Sequence, residues 1–322
     1  MHLDRAAPKS RLPQLRLPRE GLRPADFMRG QVSRPVMPDL AAKAGGTVDL
    51  VIGASDGAIG FFRFRFARRL ATSESMQRKG VDMDKQKILI VGGSSGMGLA
   101  LARRCLEEGA DVIIAGRGEA KLDAARDDLG RPDALETAAV DIGREHEVAA
   151  LFERIGRLDH IVSTAAAIEG AYQLLPEIEL EAAQRVVESK FYGPLLIAKH
   201  GAPKLPPTGS LTFVSGIAAY RPAARGAVVA AVNAALEGLV RALAVELAPI
   251  RVNAVSPGWV DTPIWAFVAG EKKNETLAAM AKRLPAGRVG RPEDIADAIR
   301  FLMGNGFTTG ETLQVEGGHR LV

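Results

Sequence analysis

The sequence predicts an α/β protein in which one seven-stranded, doubly wound parallel sheet forms a single domain over residues 83–322. Three observations lead to this fold class. Seven short aliphatic runs follow one another along this part of the chain. Helical patterns separate them, and continuous apolar strands that alternate with helices indicate a parallel sheet covered on both faces. The chain is 47% hydrophobic but only 5% aromatic, which is typical of an aliphatic α/β core.

Each element follows from its own local pattern. Aliphatic, β-branched runs predict the strands, which are Ile88–Val91, Val112–Ala115, Ala138–Ile142, His160–Thr164, Ser210–Ser215, Arg251–Ser256 and Leu313–Val315. Stretches with an apolar stripe at helical spacing predict the helices, which are Met97–Glu108, Glu119–Leu129, Glu145–Ile155, Leu180–His200, Ala227–Leu247 and Pro292–Met303.

Residues 1–82 differ from the rest. Prolines recur among arginines, and the first 80 residues carry 15 basic against 7 acidic side chains, whereas the remainder carries 27 basic against 31 acidic. Three interpretations are open: a disordered basic arm, a targeting peptide, and an upstream extension of a protein whose natural start is Met76 or Met83. We favour the last, since Met83 stands just before the first strand. The glycine-containing segment Val51–Gly60 is not followed by an amphipathic helix, and we interpret its motif-like appearance as coincidence.

Composition also excludes several classes of function. A single cysteine, Cys105, rules out a disulfide framework and a CxxC metal site, so no metal is expected. The mildly acidic remainder offers no nucleic-acid surface. No apolar run approaches the ~18–20 residues of a membrane span, so we expect no membrane partner and a cytoplasmic location.

A glycine-rich turn joins the first strand to the first helix, and it has the spacing G-x3-G-x-G. Such a turn lets the backbone approach a pyrophosphate, while the next helix offers free N–H groups and the positive end of its dipole. The position between a strand and a helix therefore predicts a Rossmann-type dinucleotide site. Its predicted cofactor contacts are Gly92, Ser94, Ser95, Gly96, Met97 and Gly98.

The ends of the next two strands bear on the choice of cofactor. The second strand is followed by Arg117, where NAD-preferring sites usually carry an acid for the ribose 2′-hydroxyl. Arg117 favours a 2′-phosphate and hence NADP, with NAD as the alternative and a solvated arginine as the plainer explanation. Asp141 and Ile142 end the third strand, where Asp141 either accepts a hydrogen bond from the adenine amino group or caps the next helix.

From about residue 85 to the C-terminus, the chain resembles the short-chain dehydrogenase/reductase family. The glycine turn matches that family's TGxxxGxG with Val91 in the Thr place, and Arg251–Gly258 matches its sixth-strand PG segment. Gly287–Ala296 and Thr309–Gly318 match its C-terminal segments. The resemblance implies further cofactor contacts after the fourth and sixth strands, at Thr164, Ala165, Pro257, Gly258, Val260 and Thr262.

The catalytic positions of the family are where the chain departs from it. Ser215 ends the fifth strand and supplies the family's Ser, although it stands 14 residues before the Tyr place instead of the usual 13. The family's Tyr falls on Val229 and its Lys on Asn233, so the usual acid is missing. The family's Asn, in the helix before, falls on Lys190. This pattern suggests that Lys190 and Asn233 have exchanged roles.

The resemblance implies an oxidoreductase that transfers a hydride between NADP(H) and a carbonyl or alcohol substrate. Ser215 would hold the carbonyl oxygen, and Lys190, with Asn233, would supply or relay the proton. Tyr220 and Tyr192 are alternative acids. A catalytically inactive NAD(P)-binding sensor or scaffold is the main alternative, and a dehydratase or isomerase is another. The resemblance also implies a homodimer or homotetramer, and a pocket covered by the segment Trp265–Arg283.

Overall fold

The computed structural model describes residues 48–53, 59–64 and 83–322, within two compact units, Met1–Gln77 and Arg78–Val322. In the first unit, strand β1 (Val48–Gly53) pairs antiparallel with β2 (Ile59–Phe64). The sequence analysis identified no strand here, because it tested this segment only for a glycine turn followed by a helix. The other predictions for residues 1–82 lie outside the described residues.

The second unit contains the predicted sheet. All seven strands are parallel, in the order β5-β4-β3-β6-β7-β8-β9. Because β3 has β4 on one side and β6 on the other, the chain reverses its direction of travel across the sheet beside β3. Ligands of doubly wound sheets bind at such a switch point, outside the carboxyl ends of the strands. The strands are β3 (Lys87–Val91), β4 (Asp111–Gly116), β5 (Leu135–Ala139), β6 (His160–Ser163), β7 (Ser210–Val214), β8 (Arg251–Pro257) and β9 (Thr312–Val315).

Helices cover both faces of the sheet and enclose two main apolar cores. One core includes Phe152, Ile197 and Leu236, and the other includes Leu101, Leu122 and Ile299. The single-domain, doubly wound fold is therefore confirmed. The helices are α1 (Gly96–Glu107), α2 (Glu119–Asp128), α3 (Glu145–Ile155), α4 (Leu180–Val187), α5 (Gly193–Gly201), α6 (Ala227–Glu246), α7 (Ile264–Ala269), α8 (Lys273–Ala281) and α9 (Pro292–Gly304).

Two elements differ from the prediction in ways that affect the site. Strand β5 lies three residues earlier than predicted. It is an edge strand that contains the exposed Glu136, so it lacks the continuous apolar run by which the other strands were predicted. Val140–Ile142 consequently follow the strand instead of forming it. The single helix predicted over Leu180–His200 is interrupted by a π-helical turn, Glu188–Tyr192, between α4 and α5. Single π turns within α-helices frequently mark functional sites.

Helix α6 is the longest of the described helices, and by length and composition alone it is apolar enough to span a membrane. The sequence analysis expected no such stretch. In the structure, one face of α6 packs on the sheet through apolar residues such as Leu236 and Val240. The same face also buries two polar side chains, Asn233 and Glu237. Both belong to the site described next.

Candidate active site

A cleft of about 760 Å³ opens at the switch point beside β3. Its volume is within the range typical of small-molecule sites. Most of the predicted cofactor residues line it, whereas four do not: Gly98, Pro257, Gly258 and Val260. The predicted residues on the cleft are Gly92, Ser94, Ser95, Gly96, Met97, Arg117, Asp141, Ile142, Thr164, Ala165 and Thr262.

The glycine turn forms the floor of this cleft. Gly92 has a φ of +85°, which L side chains rarely adopt, and a Cβ on Gly98 would lie 2.3 Å from the Gly92 carbonyl oxygen. The Thr164 hydroxyl donates to the Val91 and Gly92 carbonyls at 3.3 and 3.2 Å, which fixes the turn against β6. Helix α1 begins at Gly96, so its free N–H groups face the cleft. This cradle fits a pyrophosphate.

Two cationic side chains stand at the β4 end of the cleft. Arg117 and Lys121 are both exposed there, and neither makes an ion pair with any residue that the structure describes. A side chain at Gly116, between them and the floor, would contact the Ser94 hydroxyl at 3.7 Å. Lys121 was not predicted as a cofactor contact, although its position four residues after Arg117, at the start of α2, indicates one.

Asp141 lies in the turn before α3 and does not cap that helix, whose N-cap is Arg144, so the predicted capping role is wrong and the contact with adenine stays a prediction. It lines the cleft, yet its Oδ1 also accepts a hydrogen bond from the Gly143 N–H at 3.0 Å. Its own N–H donates to Glu147 Oε2 at 2.8 Å. Asp141 therefore stabilises the turn after β5 and presents its carboxylate to the same side of the cleft as Ile142.

The four predicted cofactor residues that are off the cleft lie in packing positions, and one of them, Pro257, is the buried last residue of β8. Gly98 permits close packing of α1 on the turn, as described above. A Cβ on Gly258 would lie 2.7 Å from Glu316 Cα, so this glycine allows the C-terminal segment to pass close to β8. Val260 is buried and bridges to Gly290. Thr262, two residues further on, does reach the cleft.

The predicted catalytic residues gather at the carboxyl end of β7, but none of them lines the cleft. Lys190 Nζ donates to the Ser215 carbonyl at 3.2 Å. Asn233 Nδ2 donates to the next carbonyl, that of Gly216, at 3.4 Å. The predicted exchange of Lys190 and Asn233 therefore places both side chains against one strand end, where they bind consecutive carbonyls.

Glu237 is the partner that the sequence analysis missed. Its buried carboxylate, 4% exposed, accepts hydrogen bonds from the Ser215 hydroxyl at 2.8 Å and from the Tyr220 hydroxyl at 2.5 Å. The sequence offered a signal, since Glu237 stands one helical turn after Asn233 on the same face of α6. Both hydroxyls therefore point toward α6.

The position opposite Asn233 is occupied by Gly216. A Cβ on Gly216 would lie 2.8 Å from Asn233 Nδ2, whereas the Ser215 hydroxyl is directed to Glu237. Counting the family's usual 13 residues back from Val229 also leads to Gly216. Gly216 therefore stands at the family's usual spacing from Val229 and against Asn233, whereas the Ser215 hydroxyl is bound to Glu237.

Burial shifts the protonation of these groups. Lys190 is 7% exposed, and the loss of hydration lowers its pKa to about 8. Burial and the hydrogen bond to Glu237 raise the pKa of Tyr220, so its proton is held. Asn233 Oδ1 is buried, and no partner for it exists in the part of the chain that the structure describes.

Val229, at the family's Tyr position, belongs to a small apolar cluster, which we call the valine cluster. Its buried members are Ala171, Val186, Val229 and Val232. Five partly buried residues pack against it: Tyr172, Val187, Phe191, Ala218 and Val228. Tyr192, an alternative acid from the sequence, is instead half exposed and stacks edge-on against Phe191.

Comparison with known proteins agrees with this geometry. A sequence profile described as Enoyl-(Acyl carrier protein) reductase matches residues 91–320. The chain is 35% identical over 258 residues to a short-chain dehydrogenase/reductase of Malbranchea aurantiaca, which covers 75% of this chain and 97% of that protein. The chain belongs to the short-chain dehydrogenase/reductase family. Members of this family are NAD(P)-dependent oxidoreductases, so the cleft is a nicotinamide-cofactor site.

A second relative, the cis-4-hydroxycyclohexanecarboxylate dehydrogenase of Sinomonas cyclohexanicum, is 35% identical over 73% of this chain and 96% of its own length. Solved structures give the same result. The reductase/Diels–Alderase MalC from Malbranchea aurantiaca matches with a TM-score of 0.69 at 33% identity, over 75% of this chain and 99% of that one. A small-chain dehydrogenase in complex with NADPH matches with a TM-score of 0.64 at 34% identity, over 74% and 100%.

Proposed function

We propose that this short-chain oxidoreductase transfers a hydride between NADPH and a small carbonyl or alcohol substrate. The observation that carries the choice of cofactor is the pair Arg117 and Lys121, both exposed at the end of the cleft next to β4. Neither is neutralised by a described acid, and no carboxylate stands at the end of β4 to hold a free ribose 2′-hydroxyl. Charge-assisted hydrogen bonds to a phosphate are about twice as strong as neutral ones. The likeness to an NADPH-bound dehydrogenase supports the same choice.

The protein's own part in the reaction is binding, orientation and exclusion of water. The glycine turn and the start of α1 hold the pyrophosphate, and Ala165 and Thr262 form walls further along the cleft. Ile264 and Phe267 of α7 complete the lining on the exposed side. When bound, NADPH supplies the hydride. Positioning of this kind accounts for a large part of the rate in many enzymes.

The proton side of the reaction is unusual for the family. Lys190 and Asn233 are the substitutes that the sequence suggested for the missing pair, but their hydrogen bonds to the Ser215 and Gly216 carbonyls direct both side chains to the end of β7. We therefore propose that Lys190 acts as a buried positive charge that positions this strand end. Ser215 could hold a carbonyl oxygen only after leaving Glu237.

A second candidate is a cofactor-binding sensor or scaffold without turnover. The valine cluster favours it, because an apolar side chain, Val229, fills the place of the family's acid. The two candidates differ in one measurement. A reductase oxidises NADPH in the presence of a suitable carbonyl, whereas a sensor binds NADPH tightly and oxidises it with no member of the panel.

The test follows NADPH and NADH absorbance across a panel of cyclic ketones, aromatic aldehydes and aliphatic ketones. We expect turnover with NADPH, and we expect Arg117→Ala to raise the KM for NADPH by about 10- to 100-fold, because a hydrogen bond to a charged group contributes about 1.5–3 kcal/mol. The KM for NADH should stay unchanged. The matched control is Arg157→Ala, an exposed arginine at the opposite end of the sheet, just before β6. Equal loss with both cofactors in Arg117→Ala would contradict 2′-phosphate recognition.

A further inference from the structure

The four catalytic positions of the family converge around the valine cluster. Their occupants in this chain are Gly216, Val229, Asn233 and Lys190. The cluster contains Val229 itself, and each of the other three has a close sequence neighbour in it or packed against it. These neighbours are Ala218, Val232 and Phe191. The valine cluster therefore lies where a proton donor of the family would stand.

One phenol packs directly against this cluster. Tyr172 follows β6 in the chain, and the same loop begins with residues that line the cleft, Ala165 to Glu169. The chain has three tyrosines. Tyr220 donates to Glu237 and Tyr192 stands half exposed, whereas the Tyr172 hydroxyl has no hydrogen-bond partner among residues 83–322.

We propose that Tyr172 is the proton donor of this enzyme, supplied from the loop after β6 in place of the tyrosine that α6 has lost. The inference rests on the proposed function. As the substrate's carbonyl carbon accepts the hydride, the C=O π electron pair moves onto oxygen. That oxygen takes the phenolic proton, the Tyr172 O–H bond breaks, and water then returns a proton to the phenolate. The products are the alcohol and the neutral phenol.

The surroundings of Tyr172 suit the reductive direction. Burial raises the pKa of Tyr172, so the phenol keeps its proton at neutral pH and is ready to donate it. The apolar side chains of the valine cluster exclude water from the side of the ring that packs against them. Because a hydrogen bond from the phenol to another protein group is absent within the described part of the chain, no such bond has to break before the phenol binds a carbonyl oxygen.

The first test is Tyr172→Phe, which removes one oxygen and keeps the ring that packs on the cluster. General acid catalysis typically contributes about 100- to 10,000-fold, so we expect kcat for carbonyl reduction to fall by at least about 100-fold. The Kd for NADPH, measured by fluorescence, should stay within about 2-fold of the wild type. Tyr192→Phe, the same change on the half-exposed phenol, is the control and should keep its kcat. Turnover within about 3-fold of wild type in Tyr172→Phe would overturn the assignment and leave the proposed function standing.

A second test does not depend on turnover. The oxidised nicotinamide is positively charged, so NADP⁺ should lower the midpoint of one tyrosinate transition, followed by absorbance near 295 nm. With three tyrosines in the chain, single Tyr→Phe variants assign each transition. We expect the NADP⁺-dependent shift to be lost in Tyr172→Phe and kept in Tyr192→Phe. If NADP⁺ binds and no transition moves, Tyr172 does not face the nicotinamide and the inference fails. If the wild type reduces no carbonyl while this shift is present, the proposed function fails instead.

Discussion

The glycine turn and the carboxyl end of β7 differ in how closely they follow the family. At the glycine turn, residues such as Gly92 and Gly96 occupy the family's positions and line the cleft. At the carboxyl end of β7, the family's four catalytic positions hold different residues, and the side chains of Lys190 and Asn233 are buried against backbone carbonyls. We call the glycine turn the binding end and the carboxyl end of β7 the chemical end. Only the binding end keeps the residues that are usual for the family.

This difference has a physical origin. The binding end depends on backbone: a turn in which Gly92 has a φ of +85° and Gly98 leaves no room for a Cβ, followed by the free N–H groups at the start of α1. The chemical end depends on a few side chains, and a proton can be supplied from any element that reaches the substrate. A chain can therefore keep its cofactor site while a phenol on another loop, such as Tyr172, takes over the role of donor.

The largest effect should come from breaking the binding end with Gly98→Ala. The added Cβ would lie 2.3 Å from the Gly92 carbonyl oxygen, so the turn or α1 must move. The backbone N–H groups that would bind the pyrophosphate move with it, and we expect the Kd for NADPH to rise by about 100-fold, which corresponds to about 2.8 kcal/mol. Overpacking should also lower the free energy of unfolding by about 1–3 kcal/mol.

Fluorescence titration and chemical denaturation measure the two quantities. Gly306→Ala is the matched control, because a Cβ there meets no atom within 4 Å among the described residues. It should leave both the Kd for NADPH and the free energy of unfolding close to wild type. Wild-type affinity in Gly98→Ala would mean that the turn is more plastic than its geometry indicates.

At the chemical end, Lys190→Met should change the pH dependence of stability. The folded pKa of Lys190, about 8, lies below the value of 10.5 for a free lysine. Below pH 8 the side chain is charged in both states, and its burial penalty is fully present. Between pH 8 and 10.5 only the unfolded state keeps the proton, so this contribution to stability rises with pH. The methionine side chain does not titrate, so the variant lacks this pH dependence.

The free energy of unfolding of Lys190→Met relative to wild type should therefore be highest near pH 7. That advantage should shrink by up to about 3 kcal/mol by pH 10.5, at about 1.36 kcal/mol per unit of pKa. Comparing the two proteins cancels other groups, including Cys105, whose pKa burial raises to about 12 and whose effect has the opposite sign. If the free energies of unfolding of the variant and the wild type changed with pH in the same way, the Lys190 ammonium would be hydrated or paired in solution.

The fold was predictable because its signals are local. Seven aliphatic runs and a glycine turn locate the strands and the switch point, and the one strand that was displaced, β5, is an edge strand with the exposed Glu136. Helices α7 and α8 were expected only as a covering segment. Few of their residues are buried, among them Leu277 and Met280, so the sequence shows no clear apolar stripe there.

The site was predictable only where backbone determines it. Arg117 and the glycine turn could be identified from spacing. The spacing of Glu237 from Asn233 on α6 offered a signal, but the hydroxyls that Glu237 binds could not be read from it, because they come from the loop after β7. Tyr172 could not be identified, because its position depends on the contact between the loop after β6 and the valine cluster. The direction of the Ser215 hydroxyl could not be predicted either. Ser215 stands one residue further from Val229 than the family's Ser does from its Tyr, and this shift turns its hydroxyl toward Glu237.

The smallest effect should come from Tyr220→Phe, which tests whether Tyr220 is structural or catalytic. The change removes one of the two hydroxyl donors to Glu237 and leaves Ser215 as the other. A hydrogen bond to a charged group contributes about 1.5–3 kcal/mol when buried, and the partial exposure of Tyr220 reduces the expected loss of stability to about 1 kcal/mol. Because the Tyr220 hydroxyl already donates its proton to Glu237, it is not available to a carbonyl oxygen, and kcat should change by less than about 3-fold. Steady-state kinetics and thermal denaturation, compared with Tyr192→Phe, measure this. A loss of kcat comparable to that of Tyr172→Phe would instead make Tyr220 the donor, and the chemical end would then be served from the β7 loop.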